Sequence, residues 1–591
     1  MRRRVNGRCK GARPWAKCLR GWRPIGVGTV ALALVASILL PGQIASAASG
    51  YLKPNPLCNR LGVQLEASAG AQMFCFGPQA GGTTARSQTN STLAPSSPSS
   101  PSRNVNAASL SEDVSPSGTR GYGQSETSIA ASGSYVVEAW NDATAFLTPP
   151  CDPSGKGSAT GFGFSNDGGA TFRDLGGLPN RQCSSDPAAI SGDPSVEAYT
   201  VNGTTYFYIA SIFIPLTHPR NELSITRCTV VGSGAGATLS CGDPTIAAVS
   251  SDCVTFFGST FCSFLDKEYL TIDPVRQRLY MSYTEFGVSS FVKSNGIVEL
   301  ATCDLAAPEA PVCANGSPAR VHPPYLVVAP PAHCEQEGAY PAVDVATGDV
   351  YVAWEFNWGS NLFGSPFPGQ VDCQTRPMLN RLARVPFTCL TLPAASCGTS
   401  NLGFVRITSM DAAFVPGYNR FPGSDFPRIA VSPTAGTVSI VWNDATRDPL
   451  GDIYLQSFNL GSLSPVQTRP VVLNNDTSGI ALHFMPALRN ADSHGRLSVS
   501  WYDRRLAPNS TRTDVFAALS IDPRLTTTPG NVRVTDVSSD WNTVSSDIVP
   551  NFGDYTDNYT ALGSTGAILH VGWSDARLGV PQPFTSHVAI K

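Results

Sequence analysis

Three arginines stand at matching places in the sequence and could together bind an acidic ligand. Arg447, Arg505 and Arg577 each follow a tryptophan by four or five residues. Because a planar guanidinium group binds a carboxylate through two parallel hydrogen bonds, three of them on one surface would hold a carboxylated substrate. The alternative is a structural role, in which each arginine forms a salt bridge with an aspartate of a neighbouring repeat.

A second group of residues could supply the acid, base and nucleophile beside such a ligand. Asp554 and Tyr555 are adjacent, and Glu268 belongs to an earlier part of the chain. A carboxyl group can transfer a proton, and a tyrosine hydroxyl can form a covalent intermediate. We therefore hypothesise that these three residues are catalytic. The run from Asp554 to Asn558 could instead bind calcium through oxygen ligands, although its spacing is not that of an EF-hand. No other cofactor is expected.

The arginines belong to a recurring phrase, Trp-x-Asp, which shows what kind of element must position them. Each copy ends a short run of alternating apolar residues, the pattern of a half-buried β-strand. A catalytic group is needed once, whereas a turn-capping group is needed in every repeat, so we expect these aspartates to be structural. The copies are Trp140-Asn141-Asp142, Trp442-Asn443-Asp444, Trp501-Tyr502-Asp503 and Trp573-Ser574-Asp575.

The repeats predict an all-β domain. No long segment carries the 3.6-residue period of a helix, and seven repeats can be traced, each long enough for about four strands. Radial repetition of such sheets protects their edges, which favours a β-propeller of four-stranded blades. Seven blades is the preferred number, and six is the alternative. The last repeat lacks an outer strand, which residues 104–114 could supply to close the ring.

Blade geometry places the candidate residues at one face of this propeller. Because successive strands run in opposite directions, the turn between strands two and three lies at the face where strand one begins. The Trp-x-Asp phrases therefore lie near the start of each blade, where Glu268 and Asp554 also fall. We expect a ligand to bind over this end of the central channel.

One segment resembles the Asp-box of sialidases and related propellers. Ser165-Asn166-Asp167-Gly168-Gly169-Ala170-Thr171-Phe172 matches the pattern Ser-x-Asp-x-Gly-x-Thr-Trp/Phe. The resemblance implies a turn between strands three and four, with structural roles for Ser165, Asp167, Gly169 and Phe172. It also implies a sialidase-like propeller, and sialidases use three arginines, a tyrosine–glutamate pair and an aspartate.

The resemblance covers eight residues and is weaker at the expected catalytic positions. The chain has no copy of the Phe-Arg-Ile-Pro motif that usually carries the first sialidase arginine. The segment Phe426-Pro427-Arg428-Ile429 is a loose echo of it, late in the chain. The resemblance therefore implies the fold more strongly than the activity.

The N-terminus has the order of an export signal. Nine basic residues precede Gly26, an apolar run covers 27–40, and Ala45-Ser46-Ala47 suits a signal peptidase. We predict a signal peptide at residues 1–47, and a retained membrane anchor is the alternative, although the run is short for a span. The remaining predicted parts are a small cysteine-bearing head at 48–82, a Ser/Pro-rich linker at 83–118 and the propeller at 119–591.

Fourteen of the sixteen cysteines would remain after cleavage, and an even number favours disulfides in an exported protein. No Cys-x-x-Cys pair occurs and the histidines are scattered, so no metal site is expected. The predicted pairs are Cys58/Cys75, Cys151/Cys183, Cys228/Cys241, Cys253/Cys262, Cys303/Cys313, Cys389/Cys397 and, across a longer insertion, Cys334/Cys373.

Charge and resemblance together lead to two functional hypotheses. Cleavage leaves 32 basic against 44 acidic residues, because nine of the 41 basic residues are removed, so nucleic acid is not an expected partner. The first hypothesis is a secreted, monomeric, sialidase-like propeller that binds or hydrolyses extracellular glycans or glycoconjugates. The alternative is a non-catalytic, disulfide-stabilised extracellular scaffold that binds a surface protein.

Overall fold

Nearly all the regular structure in the described part of the chain is β-strand. The short helical elements among these residues are α1 (Phe387–Leu390) and 3-10 turns at Ala143–Leu147, Gly234–Gly236 and Trp541–Thr543. The computed structural model describes residues 104–111, 123–147, 151, 157–287, 296–313, 325–328, 335–358, 379–390, 402–406, 415, 426–445, 448–476, 479–543, 552–563 and 566–590.

The strands are arranged as consecutive antiparallel blades. Strand β1 (Val105–Asn106) belongs to the last blade. Blade 1 contains β2 (Gln124–Ser132), β3 (Tyr135–Asp142), β4 (Thr160–Ser165) and β5 (Arg173–Gly177). Blade 2 contains β6 (Ala188–Ile190), β7 (Ser195–Val201), β8 (Thr204–Pro215), β9 (Glu222–Val231) and β10 (Thr238–Val249). Blade 3 follows the hairpin β11 (Cys253–Phe256) and β12 (Ser259–Cys262), and contains β13 (Phe264–Asp273), β14 (Arg278–Phe286), β15 (Gly296–Asp304), β16 (Val312–Cys313) and β17 (Tyr325–Val328).

Four more blades complete the ring. Blade 4 contains β18 (Glu335–Val343), β19 (Val350–Trp358), β20 (Leu379–Val385) and β21 (Leu402–Arg406). Blade 5 contains β22 (Arg428–Ser432), β23 (Thr437–Asp444), β24 (Asp452–Asn459) and β25 (Val471–Val472). Blade 6 contains β26 (His483–Ala487), β27 (Leu497–Asp503), β28 (Arg512–Ile521), β29 (Asn531–Arg533) and β30 (Ser539–Asp540), and blade 7 contains β31 (Asp557–Gly563), β32 (Gly566–Asp575) and β33 (Gln582–Ile590).

The first strands of neighbouring blades contact one another around the centre, as β31–β2–β7–β13–β18–β22 show. Within each blade the strands pair in antiparallel order from the centre outward. The seven-bladed propeller predicted from the repeats is therefore confirmed, and the six-bladed alternative is set aside.

The N-terminal part of the described chain closes the ring. Strand β1 pairs with β33 through Val105 opposite Thr585 and Asn106 opposite Phe584, which makes it the fourth strand of blade 7. The proposed origin of the missing outer strand is thus confirmed. Residues 104–111 consequently belong to the propeller and not to the predicted linker at 83–118, because their backbone pairs with the last strand.

Aromatic residues at the ends of the second strands form much of the core. Trp140, Trp354, Trp442, Trp501 and Trp573 are each almost completely buried. Hydrophobic clusters join adjacent blades, and one of them unites residues of blades 2 and 3 from Tyr208 to Leu305. Each sheet therefore has a neighbour on both faces, which is why consecutive residues of second strands such as β3, β23 and β27 are buried.

Four predicted disulfides are present, and they connect Cys151/Cys183, Cys228/Cys241, Cys253/Cys262 and Cys303/Cys313. Each closes a loop of 9–32 residues, so all four act locally. The predicted pairs Cys58/Cys75, Cys334/Cys373 and Cys389/Cys397 involve cysteines outside the described residues, as do the signal peptide at 1–47 and the head at 48–82. The described part of the chain contains no helix of the length and hydropathy needed to span a bilayer.

Candidate functional site

The innermost strands share an unusual backbone feature at one position, which we call the bulge position. This position lies two residues before the strand-one residue that pairs with the neighbour of the strand-two aromatic. In blade 3, Lys267 lies two residues before Tyr269, which pairs with Ser282, the residue before the aromatic position. Left-handed backbone is costly for residues other than glycine and is concentrated at functional or strained sites. The bulge positions with positive φ are Glu126 (55°), Asp193 (56°), Lys267 (58°), Gly338 (64°) and Met485 (47°).

The bulge positions of three blades direct charged side chains to one point at the centre of the ring. The Lys267 Nζ lies 2.7 Å from Asp554 Oδ2, 3.0 Å from Asp193 Oδ2 and 3.8 Å from Glu126 Oε1. All four side chains are fully buried. With Asp266, which precedes Lys267, these residues form what we call the central cluster.

The central cluster contains more carboxyl groups than cations, and burial decides their charge. Desolvation raises the pKa of Glu126 well above its ordinary value, and the nearby Asp193 and Asp554 raise it further. Desolvation and then Asp193 do the same for the pKa of Asp266. Side-chain hydrogen bonds join Glu126 to Asp554 and Asp266 to Asp193. Two pairs of hydrogen-bonded carboxyl groups therefore flank a single ammonium group, and burial favours a proton on Glu126 and on Asp266.

Lys267 remains charged in this environment. Burial by itself lowers the pKa of Lys267, but the attraction of Asp193, Asp554 and Glu126 outweighs it and raises that pKa well above its ordinary value. The Phe426 and Tyr555 rings lie 5.9 Å and 5.3 Å from Nζ at their centroids and complete its surroundings.

The structure brings the three residues predicted to be catalytic into or beside this cluster. Asp554 is bound by Lys267, and the Tyr555 hydroxyl donates a hydrogen bond of 3.1 Å to the carbonyl of Pro194. Glu268 is fully buried, and its carboxyl group has no hydrogen-bond partner among the described residues. Desolvation, followed by Asp193 and Asp266, raises the pKa of Glu268. Burial likewise raises the pKa of Tyr555.

The arginines predicted to bind substrate are held by aspartates of the Trp-x-Asp phrases. Arg505 binds Asp503 at 2.7 Å and packs against the Phe516 ring at 4.3 Å. Arg577 binds Asp575 at 2.8 Å and also Asp536, which follows the outer strand β29 of blade 6. Arg447 lies outside the described residues.

The Trp-x-Asp aspartates cap the turns that follow them. The indole Nε1 of Trp501 donates to Asp503 at 2.8 Å, and that of Trp573 donates to Asp575 at 2.9 Å. The backbone amides of Arg505 and Arg577 each donate to the same aspartates at 2.8 Å. One carboxylate thus joins the indole, the turn and the guanidinium of its blade.

Two further arginines, absent from the predicted site, fill the channel beside the central cluster. Arg428 stacks on the Tyr340 ring at 3.7 Å, and its Nη2 donates to the carbonyl of Thr556. Arg489 binds Asp557 and Glu197, both at 2.7 Å. Arg428 stands in the loose echo of the sialidase motif, so a signal for it existed, whereas nothing in the sequence around Arg489 indicates its partners.

The segment that resembles an Asp-box forms the turn between β4 and β5, at the face opposite the turns between strands two and three. Asp167 accepts hydrogen bonds from the Thr171 amide at 2.9 Å and from the Thr171 and Ser165 hydroxyls at 2.6 Å and 2.8 Å. The Gly169 amide donates to Ser165 Oγ at 2.9 Å, and Phe172 packs against apolar residues of blades 1 and 7. The turn therefore lies away from the central cluster.

The acidic run from Asp554 to Asn558 does not offer its carboxylates to a cation such as calcium. Asp554 is occupied by Lys267, and Asp557 is occupied by Arg489 and by the hydroxyl of Ser128. Within the described ranges, no three His, Cys, Asp or Glu side chains are grouped so that they could hold a metal ion.

Comparisons with known proteins give similarity at the level of the fold. No protein-family model and no curated protein matches the chain. Trypanosoma rangeli sialidase is 10% identical with a TM-score of 0.34, and the match covers 84% of this chain and 60% of the sialidase. An exo-1,5-α-L-arabinanase from a bovine ruminal metagenomic library is 12% identical with a TM-score of 0.29, covering 60% of this chain and 97% of that one.

An endo-arabinase from Bacteroides thetaiotaomicron is 15% identical with a TM-score of 0.25, covering 58% of this chain and 94% of that one. The chain spans about 60% of the length of the sialidase that it matches. The seven-bladed arrangement itself follows from the strand pairing described above.

Proposed function

We propose that this protein is an extracellular propeller that binds glycans without hydrolysing them. The observation that supports binding over hydrolysis is the state of the central cluster. A catalytic acid, base or nucleophile must reach the reacting atoms of its substrate. Here Asp554 is buried against Lys267, the Tyr555 hydroxyl is bonded to a backbone carbonyl, and Glu268 is sealed from solvent.

Freeing these groups for catalysis would be costly. Moving Asp554 away from Lys267 would reduce the compensation of a buried ammonium group, and breaking a buried ion pair typically costs about 3–5 kcal/mol. The arginines that would bind a sugar carboxylate are likewise bonded to Asp503 and Asp575. The charged groups that a hydrolase would direct at its substrate are therefore paired with other groups inside the protein.

A groove between the outer parts of blades 5 and 6 offers a surface for a glycan. Its volume of about 440 Å³ is that of a small-ligand site. Threonine hydroxyl groups in its lining can bond to sugar hydroxyls, while the exposed Arg469 adds a positive charge suited to an acidic sugar. The groove is lined by Gln467, Thr468, Arg469, Pro470, Val471, Val472, Thr526, Thr527 and Thr528.

The proposal is tested by measuring binding and turnover with one preparation of the mature protein. On a glycan array we expect binding to acidic glycans, weakened about tenfold by Arg469→Ala, which corresponds to roughly 1.4 kcal/mol. Arg173→Ala, at an exposed arginine on blade 1, is the matched control and should bind as wild type does. We expect no fluorophore release from sialic acid or other glycoside conjugates. Turnover that disappears in Asp554→Asn would contradict the proposal.

The scaffold hypothesis is the second candidate, and the engaged arginines favour it over a hydrolase but not over a glycan-binding propeller. Arg505 and Arg577 strengthen individual blades, which a protein-binding propeller would need as much as a lectin does. Saturable binding to protease-sensitive sites on a cell surface, together with an empty glycan array, would support the scaffold and reject glycan binding.

A further inference from the structure

We propose that Lys267 and Asp554 become joined by an amide bond, which would be an intramolecular cross-link between blade 3 and the start of blade 7. This inference concerns the covalent structure of the propeller and does not depend on the proposed function. It follows from the way in which the central cluster positions an amine, a carboxyl group and a second carboxyl group in a dry environment.

The two reacting groups are already in contact. The Lys267 Nζ lies 2.7 Å from Asp554 Oδ2, and both side chains are fully buried. The left-handed backbone at Lys267, with φ of 58°, directs its side chain to the centre of the ring. Groups held in contact in this manner react as if at very high local concentration, because the entropy of bringing them together has been spent during folding.

Glu126 stands where a proton-transfer group is needed. Its Oε1 lies 3.8 Å from Nζ, and the Asp554 backbone amide donates to the same oxygen at 3.3 Å. The Asn141 side chain donates to Oε2 at 2.6 Å and orients the carboxyl group. A Cβ at Gly553 would overlap the Cγ of Glu126, so the glycine before Asp554 is what permits this approach.

The chemical step balances without any other reactant. A proton passes from the Lys267 ammonium to the Asp554 carboxylate, which gives a neutral amine and a neutral acid. The Nζ lone pair then attacks Cγ of Asp554, and Glu126 donates its proton to the departing hydroxyl and accepts one from the nitrogen. The Cγ–O bond breaks, one water molecule leaves, and the Nζ–Cγ amide remains with no change in oxidation state.

The carboxylates keep Lys267 protonated at rest, but burial lowers the cost of the neutral species that this step requires. The aromatic rings of Phe426 and Tyr555 cover Nζ and exclude water. In such a site the ion pair loses its hydration, which narrows the free-energy gap between the ion pair and the neutral amine and acid. Burial raises the pKa of Glu126 well above its ordinary value, which favours the protonated form that this step uses.

Asp193 is the competing partner, and its contacts make it less suitable. It lies 3.0 Å from Nζ, and Asp266 is hydrogen-bonded to it. The Asn141 amide group also lies 3.4 Å from its Oδ1. Neither neighbour is placed as Glu126 is, against both the amine and the carboxyl group of the reacting pair. Asp554 is therefore the expected site of the bond.

Such a bond would connect distant parts of the chain, which the four disulfides do not. The four disulfides close loops of 9–32 residues, whereas Lys267 lies in blade 3 and Asp554 lies in the segment just before blade 7. A covalent connection between them would close a loop that contains blades 4 to 6. Cross-links that close long loops restrict the unfolded chain most.

The mass of the purified, fully reduced wild-type protein tests the proposal directly. We expect a mass lower by one water, about 18 Da, than the mass calculated for the mature chain. Proteolysis should give a branched peptide that contains both Lys267 and Asp554. The calculated mass without this loss would overturn the proposal, and a branched peptide that contains Asp193 in place of Asp554 would overturn the assignment of the partner.

Variants then test the role of Glu126. Glu126→Ala retains both reacting groups, and we expect it to have the full calculated mass, whereas Glu197→Gln, at another buried acid of the channel, should keep the loss of water. A cross-link formed to the wild-type extent in Glu126→Ala would show that Glu126 has no part in the reaction. Lys267→Met should lack the cross-link, and if that variant fails to fold, the wild-type mass still decides the question.

Discussion

Two buried cations in the channel of this propeller differ in the groups that surround them. Arg489 has a matched set of partners, with Asp557 and Glu197 each at 2.7 Å and Ser128 Oγ at 3.2 Å. Lys267 is surrounded by an excess of carboxyl groups, and burial raises the pKa of two of them, Glu126 and Asp266. The guanidinium fork is saturated by hydrogen bonds, whereas the ammonium is a point charge that several groups share.

The difference separates a structural pair from a reactive one. Burial by itself lowers the pKa of Arg489, but Asp557 and Glu197 outweigh it and raise that pKa, so the charge is permanent. An amine can become a nucleophile when its proton moves to a neighbour, which a guanidinium does not do. The protein therefore combines one site that only supports the ring with another whose composition permits chemistry.

Removal of the Arg489 charge should produce the largest change. Arg489→Met leaves Asp557 and Glu197 buried without a cation, and we expect a loss of about 3–5 kcal/mol in the free energy of unfolding. Urea unfolding followed by tryptophan fluorescence measures it, with Arg173→Ala as a surface control. A loss below about 1 kcal/mol would contradict the distinction between the two cations, because it would show that Arg489 and its carboxylate partners do not form a structural ion pair.

The central cluster should make stability depend on pH. The folded-state pKa values of Glu126 and Asp266 lie above their ordinary values, so their contribution is complete below about pH 4 and is lost as the pH rises through the raised values. Stability should therefore fall with rising pH, by at most about 1.4 kcal/mol per pH unit for each proton. Glu126→Gln should reduce the pH dependence of the free energy of unfolding by the contribution of one proton. Unfolding curves recorded from pH 4 to about pH 9 measure this change. An unchanged slope would mean that Glu126 is ionised.

The partly exposed arginines should matter less than either channel cation. Arg505→Ala and Arg577→Ala each remove a guanidinium that is bonded to a capping aspartate and stacked on a phenylalanine. We expect each to lower the free energy of unfolding by about 1 kcal/mol, because their side chains retain some contact with water. Similar losses in the two variants would support equivalent blade contacts. An unaltered stability but lost ligand binding would instead restore the predicted role in substrate binding.

The smallest effect is expected at Glu268. Burial raises its pKa and its carboxyl group has no hydrogen-bond partner among the described residues, so the uncharged form is favoured. Glu268→Gln replaces one neutral group with another of similar shape, and we expect a change within about 0.5 kcal/mol. A change of several kcal/mol would show that Glu268 is charged and takes part in the cluster.

Much of the architecture could be predicted because it depends on local pattern. The alternating runs before Trp140, Trp442, Trp501 and Trp573 predict second strands, and the structure places all four at strand ends. The four observed disulfides join sequence neighbours on paired strands or nearby loops, for which proximity along the chain is a useful guide. The missing strand of the last repeat likewise indicated closure by the N-terminal segment.

The grouping of the candidate residues could be predicted in part, and their catalytic role stays a prediction. Asp554, Tyr555 and Glu268 were selected by residue type and by their place at the start of blades, and they do lie together. Lys267 and Glu126 occupy the bulge position, yet no sequence pattern marks a left-handed residue when it is not glycine. Arg489 likewise follows an inner strand, and the sequence does not show which residues are its partners.

The sequence by itself determined the strands, their repetition and the capping of turns by Trp-x-Asp, because each of these depends on residues close together in the chain. Only the tertiary structure decided which charges meet. Glu126, Asp193, Lys267 and Asp554 come from blades 1, 2 and 3 and from the segment before blade 7, and they converge when the ring closes. Their protonation then depends on burial and on one another, and neither exists before the blades surround them.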